Sequence, residues 1–186
     1  MAGYVTEKYD SNANCYGYAT QVSNCGAAVP GGVNRKEGEN LDDYFQRLID
    51  GVLKDGEDRV TESTHSLDKI PVPKANNYLM LMLVGETGFH FLRREENRPS
   101  VLKRRRWSWK NGCGENYSYW NVCKTNGEYT TITNSNLKSA IQNPRLYVWG
   151  NSLGGTPPIN AKVCFFVVQS QGFRPERVKA PPKAPH

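Results

Sequence analysis

The chain has 186 residues, the size of a single domain. Its 24 Lys and Arg outnumber its 18 Asp and Glu, and the formal charge of +6 favours acidic partners such as nucleic acid, anionic lipid or an acidic protein surface. No apolar run is long enough to span a membrane, and the first residues lack the apolar segment of a secretory signal. We therefore expect a protein that is cytoplasmic or exported without a cleaved signal.

Cysteine spacing bears on metal binding and on disulfides. The chain has five cysteines, an odd number, so at least one thiol cannot pair within the chain. No two are spaced C-x-x-C and only three His are present, so the sequence predicts no structural zinc site and no cofactor. Cys113 and Cys123 could form a disulfide, but reduced thiols are the expectation for a cytosolic chain.

The first half of the chain predicts two helices. The stretch "SNANC" contains the cap-type residues Ser11, Asn12 and Asn14, which favour a helix that begins near Cys15. A Gly-rich polar loop follows over residues 25–40. The segment "NLDDYFQRLIDGVLKDG" then carries apolar residues at the i, i+3, i+4, i+7 spacing of an amphipathic helix, with Asn40 as its cap.

A hairpin is predicted next. The run "YLMLMLV" over residues 78–84 is typical of a strand buried on both faces, and "GETG" is typical of a tight turn into "FHFLRRE". Side chains alternate along a strand, so the second strand should have two distinct faces. One face is predicted to carry Phe89, Phe91 and Arg93, and the other His90, Leu92 and Arg94.

The rest of the chain predicts further strands. We expect strands at residues 106–110 and within "YTTIT", "RLYVWG" and "AKVCFFVVQ". The segment 171–186 is Pro-rich and basic, which is typical of an extended tail that binds a partner. The chain is thus predicted to be one α+β domain over residues 1–170, with its helices early and its sheet late, followed by a tail.

Thiol chemistry needs an activated cysteine and a base. A helix start favours a negative charge, so Cys15 is the candidate nucleophile. His90, in the middle of a predicted strand, is the candidate base, because His65 lies in a polar loop and His186 is the last residue. Taken alone, a Cys at a helix start or a His on a strand is more typical of core packing. The two together favour the hypothesis of a Cys–His catalytic pair.

Several short blocks resemble a known family. The order of a Cys at a helix start followed by a His on a strand resembles the papain-like cysteine peptidases. The blocks "NCYGYA", "GFHFLRRE", "WSWKNG" and "VCFFVV" resemble, more closely, a poorly characterised bacterial family with Asn-Cys-Tyr-x-Tyr-Ala, an aromatic-flanked His followed by Tyr-Arg, Trp-Ser-His-Lys-Pro-Gly and a Phe-rich strand. The resemblance implies a papain-like fold in which helices pack on an antiparallel sheet.

The resemblance also implies residue roles. Cys15 would be the nucleophile and His90 the general base, with Tyr16, Trp107 and Trp109 at the substrate. The family's third block has His where this chain has Trp109, so the group that orients the base is in doubt. Asn111 is the candidate replacement, and two further asparagines, Asn134 and Asn136, are the alternatives.

Three functions follow as hypotheses. The first is a cysteine hydrolase, a peptidase, amidase or deamidase of a bacterial effector or toxin, acting on a protein or peptide substrate that could be acidic. The second is a catalytically inactive papain-like protein within a virion, phage particle or ribonucleoprotein. The third is direct nucleic-acid binding through the basic run "KRRR", although the two tryptophans beside it are more typical of core packing. That run comprises Lys103, Arg104, Arg105 and Arg106.

Overall fold

The computed structural model describes residues 3, 6–9, 12–22, 25–32, 34–95, 106–113, 116–150 and 156–175. Within these ranges the chain combines α-helices with antiparallel sheets, which confirms the predicted α+β class. The elements are β1 (Thr6–Lys8), α1 (Cys15–Ala19), α2 (Leu41–Gly56), β2 (Val60–Glu62), β3 (Asn77–Gly85), β4 (Gly88–Glu95), β5 (Arg106–Lys110), β6 (Tyr117–Tyr119), β7 (Asn121–Lys124), β8 (Tyr129–Thr131), α3 (Asn134–Gln142), β9 (Tyr147–Val148) and β10 (Lys162–Gln169).

Helix α2 forms as its sequence pattern predicts. The Asn40 side chain caps its first turn, where Oδ1 accepts a hydrogen bond from the backbone N–H of Asp43 at 2.9 Å. Its apolar stripe, which includes Leu48 and Ile49, is buried in the core. The helix therefore depends on tertiary packing of one face as well as on its cap.

The central sheet is antiparallel and has seven strands in the order β1-β6-β5-β4-β3-β10-β2. Strands β3 and β4 form the predicted hairpin, which closes at the pair Gly85 and Gly88. The long strand β10 pairs along the other edge of β3, so β3 is covered on both sides and both faces. This explains why its sequence is a continuous apolar run.

Each face of the central sheet has its own hydrophobic core. Helices α1 and α2 cover one face, which we call the α1 face, and it includes Met80, Met82 and Phe91. Helix α3 and a three-stranded sheet of order β8-β7-β9 cover the other face, which we call the α3 face. It includes Leu81 and Leu92.

The observed order differs from the prediction in two respects. A third helix, α3, forms late in the chain, so the helices are not confined to the first half. The predicted tail also begins inside the folded unit, because Phe173 is buried against the α1-face core and its N–H bonds to the Thr20 carbonyl at 3.2 Å. Residues 176–186 lie outside the described residues. None of the helices in the described ranges combines the length and apolarity needed to cross a membrane.

Candidate functional site around Cys15 and His90

Cys15 is the first residue of α1, as the sequence predicts. Asn14 is the N-cap, and its side chain accepts a hydrogen bond from the Gly17 backbone at 3.1 Å. Gly17 is required here, because a Cβ at this position would lie 2.0 Å from the Cys25 sulfur. The short helix is held on the sheet by Tyr18, whose hydroxyl bonds to Ser108 Oγ at 2.7 Å.

The thiol of Cys15 is buried and its acidity is reduced. Burial raises its pKa from 9.0 to about 11. Hydrogen bonds with the backbones of Phe91, Tyr16 and Cys15 itself oppose that shift, while the nearby Cys113 thiol adds to it. The backbone N–H groups thus favour a thiolate, but desolvation outweighs them.

His90 is buried within β4, and its imidazole is held neutral. Burial lowers its pKa from 6.5 to about 4. Its Nε2 atom has no hydrogen-bond partner. A neutral imidazole is a suitable proton acceptor only if a donor is within reach.

The sheet register does not bring Cys15 and His90 together. Residues paired across neighbouring strands share a face, and His90 is paired with Leu83 on the α3 face. Phe91, the next residue, lies on the α1 face together with Cys15. The sulfur therefore lies on the α1 face of the central sheet, and the imidazole lies on the α3 face.

Asn111 is the first residue after β5, and it lies beyond the last observed pair of β4 with β5, which is Leu92 with Trp109. Trp109, two residues before it, lies on the same face of the sheet as His90. The side-chain N–H of Asn111 donates to the Trp149 carbonyl at 3.0 Å, while its Oδ1 and His90 Nε2 are both buried without a partner. No hydrogen bond therefore links these two atoms.

The two alternative asparagines have structural roles at the start of α3. Asn134 Oδ1 accepts from Trp107 Nε1 at 2.9 Å. Asn136 forms a capping box with Thr133. Both contacts stabilise the start of this helix.

The three residues assigned to substrate binding are all core residues in this structure. Trp107 and Trp109 are fully buried on the α3 face, where Trp109 packs on Trp149 with ring centroids 4.7 Å apart. Tyr16 is fully buried on the α1 face, and its hydroxyl donates to Asp55 Oδ2 at 2.8 Å. None of the three can reach a substrate without a rearrangement.

Of the predicted basic contacts, only Arg106 lies among the described residues, and it is half-buried at the start of β5. Lys103, Arg104 and Arg105 lie outside them. None of the five cysteines, all of which are described, forms a disulfide.

One group of polar side chains was not anticipated. Glu62, His65 and Cys164 converge at the β2 edge of the central sheet. Strand pairing brings Cys164 to the other two from about a hundred residues away in the chain, so no local spacing in the sequence indicates the group.

Comparisons with family models, with curated proteins and with solved structures found no match for this chain.

Proposed function

We propose that this chain is a catalytically inactive papain-like protein that serves as a structural component of an assembly such as a virion, phage particle or ribonucleoprotein. One observation carries the proposal: Cys15 and His90 are buried on opposite faces of the central sheet. The packing of the Cys15 helix on an antiparallel sheet supports the papain-like comparison.

The ionisation of the two groups argues against nucleophilic catalysis. With a pKa of about 11, only about one Cys15 thiol in ten thousand is ionised at neutral pH. His90 cannot correct this, because its ring lies across the sheet from the sulfur. A Cys–His hydrolase needs the thiol and the base within hydrogen-bond reach of each other.

Charge supports a binding role. The excess of six positive charges in a chain of this size favours an acidic surface or nucleic acid as partner. Arg106, the last residue of the basic run, is also the first residue of β5, so at least one cation of that run is held by the folded sheet. An assembly that contains nucleic acid would use such charges on its phosphates.

A cysteine hydrolase is the second candidate, and one observation favours it. Backbone hydrogen bonds involving Phe91, Tyr16 and Cys15 favour a thiolate at Cys15. Such donors also resemble those that hold an oxyanion in acyl transfer. This candidate requires a conformation in which Cys15 is uncovered and meets a base.

The two candidate functions predict different effects of removing the Cys15 sulfur. If the chain is a structural component, the Cys15→Ser variant expressed in the source cell should sediment in the same particle, at the same stoichiometry, as the unaltered chain. Since the particle would be held partly by charge, high salt should release both forms. A chain that sediments alone at physiological salt, or a phenotype lost with Cys15→Ser despite normal folding, would overturn the proposal.

A further inference from the structure

Three different metal-ligand types meet at the β2 edge of the central sheet. The carboxylate of Glu62, the imidazole of His65 and the thiol of Cys164 place their ligand atoms within 4.8 Å of one another. His65 Nε2 and Glu62 Oε1 are 2.6 Å apart. The group lies outside the Cys15 and His90 region and is independent of the function proposed above.

The backbone fixes this group in place. Glu62 pairs with Phe166, so its side chain lies on the same face as Cys164, two residues along β10. Two further backbone bonds hold the residues after β2, from Ser63 N to Phe165 O at 2.9 Å and from Phe165 N to Thr64 O at 2.8 Å. The His65 position is therefore fixed to the same strand that carries Cys164.

Helix α2 adds a further constraint on the imidazole. The His65 ring packs edge-on against Phe45, with centroids 5.4 Å apart and planes 73° apart. This contact restricts the ring without occupying its Nε2 atom, which faces Glu62. The imidazole nitrogen is thus directed toward the other two ligands by packing as well as by a hydrogen bond.

We propose that Glu62, His65 and Cys164 form a binding site for a divalent metal ion of the zinc class. One carboxylate oxygen, one imidazole nitrogen and one thiolate sulfur are the ligand types that Zn²⁺ takes in tetrahedral sites. Three protein ligands leave a fourth position for water or an external ligand. In a tetrahedral site the nitrogen and oxygen ligands are roughly 3.3 Å apart, so His65 and Glu62 would separate by less than about 1 Å.

The charges are balanced in the bound state. Coordination breaks the S–H bond of Cys164 and forms a metal–sulfur bond, and the proton leaves to solvent. One thiolate and one carboxylate then neutralise the two positive charges of the ion. Lys162, two residues from Cys164, is already engaged by the Asp42 carboxylate, so its charge is compensated nearby.

A divalent cation at this position would favour the anionic forms of both Glu62 and Cys164, because their ligand atoms lie within 4.8 Å of each other. The half-exposed His65 and Glu62 side chains give the ion a path from solvent.

Cobalt titration of the tag-free, chelator-washed full chain tests the site. We expect one Co²⁺ per chain, with the near-ultraviolet charge-transfer band of a cobalt–thiolate bond, and Zn²⁺ should displace it. Since one proton leaves, the affinity should rise about tenfold per pH unit while the thiol is protonated. His65→Gln and Glu62→Gln should each weaken binding about 100-fold or more.

The cysteine variants separate this site from other thiols. Cys164→Ala should abolish the band, while Cys123→Ser, at a half-buried thiol in β7, should leave it unchanged. If Cys164→Ala does not fold, His65→Gln decides, because this side chain is half-exposed and its loss spares the core. No thiolate band at saturating Co²⁺, or a band that persists in both His65→Gln and Glu62→Gln, would overturn the proposal.

Discussion

The Cys15 sulfur and the His90 imidazole are separated by the central β-sheet, although Phe91, the residue after His90, contributes a backbone hydrogen bond at the sulfur. The sequence neighbours His90 and Phe91 point in opposite directions because side chains alternate along a strand. Cys15 therefore interacts with the backbone of β4, while the imidazole is directed away from it. Because these two groups face apart, their ionisation should be independent.

The alkylation rate of Cys15 should depend on pH and should not depend on His90. Only the thiolate is alkylated, so reaction with iodoacetamide should be slow at neutral pH and rise about tenfold per pH unit toward the pKa of about 11. His90→Ala should leave this profile unchanged. Peptide-resolved mass spectrometry measures the rate, with the half-buried Cys123 as internal reference. A plateau near neutral pH that disappears in His90→Ala would instead indicate a Cys–His pair.

His90 should make the folded state sensitive to mild acid. Its folded pKa of about 4 lies below its ordinary 6.5, so the unfolded chain binds a proton first as the pH falls. The resulting stability is fully present above about pH 6.5 and is lost as the pH falls toward 4. Protonation of His90 should lower the free energy of unfolding by about 3 kcal/mol in total, and about 2 kcal/mol of this loss should have occurred by about pH 5.

Urea unfolding of His90→Leu at neutral and mildly acidic pH checks this expectation. The variant removes the titrating group and a buried nitrogen that has no partner, so its stability should fall less with acid than that of the unaltered chain. His65→Gln, which alters a half-exposed imidazole, is the matched control and should keep the acid sensitivity. Equal acid sensitivity in His90→Leu would show that His90 is not responsible.

Tyr16→Phe should destabilise the fold because it removes a link between α1 and α2. The Tyr16 hydroxyl donates to Asp55 Oδ2 at 2.8 Å, and the Gly31 backbone donates to the same oxygen at 3.1 Å. Loss of a hydrogen bond to a half-buried carboxylate costs about 1–2 kcal/mol. Urea unfolding measures the change, and Tyr117→Phe, at a half-exposed ring, should be neutral. Equal stability of the two variants would contradict the structural role of Tyr16.

Gly51→Ala tests the close packing of α2. Alanine favours a helix over glycine by about 1 kcal/mol, so propensity alone predicts stabilisation. A Cβ at Gly51 would lie 2.5 Å from the Pro30 carbonyl carbon, however, and this contact is with backbone. We expect a net loss of about 1–3 kcal/mol in the free energy of unfolding, whereas Asp50→Ala on the exposed face should change it by less than about 0.5 kcal/mol. A Gly51→Ala variant that is more stable than the unaltered chain would show that the loop at Pro30 moves to accommodate the added Cβ.

The parts of the fold that were predictable from sequence are those with a strong local pattern. Helix α2 has an apolar stripe and a cap, and the β3–β4 hairpin has a long apolar run and a glycine turn. Helix α3 has a shorter signal, because it has only nine residues and buries only Leu137, Ala140 and Ile141. Its formation depends on the α3-face core, which is a property of the tertiary structure.

The candidate site also depends on tertiary contacts that a local sequence pattern does not determine. Alternation along β4 correctly separated His90 from Phe89 and Phe91, so the sequence predicted two faces. It could not indicate which face the Cys15 helix would cover, since that choice depends on contacts such as Tyr18 with Ser108 in β5. The pairing of Cys15 with His90 was therefore an inference about tertiary structure that periodicity alone could not decide.

Trp109→His tests whether the residue found in the resembling family would restore a catalytic group. Trp109 is fully buried between Trp149 and Tyr119, so a smaller polar ring would leave a cavity and cost about 3–5 kcal/mol. Trp109 pairs with Leu92 on the α3 face, so the new imidazole would lie on the side of His90, away from Cys15. We therefore expect lower stability in urea and no faster alkylation of Cys15. Trp109→Phe keeps an aromatic ring and should lose less stability. Faster alkylation of Cys15 in Trp109→His but not in Trp109→Phe would contradict the expectation, because it would mean that an imidazole on the α3 face activates the thiol.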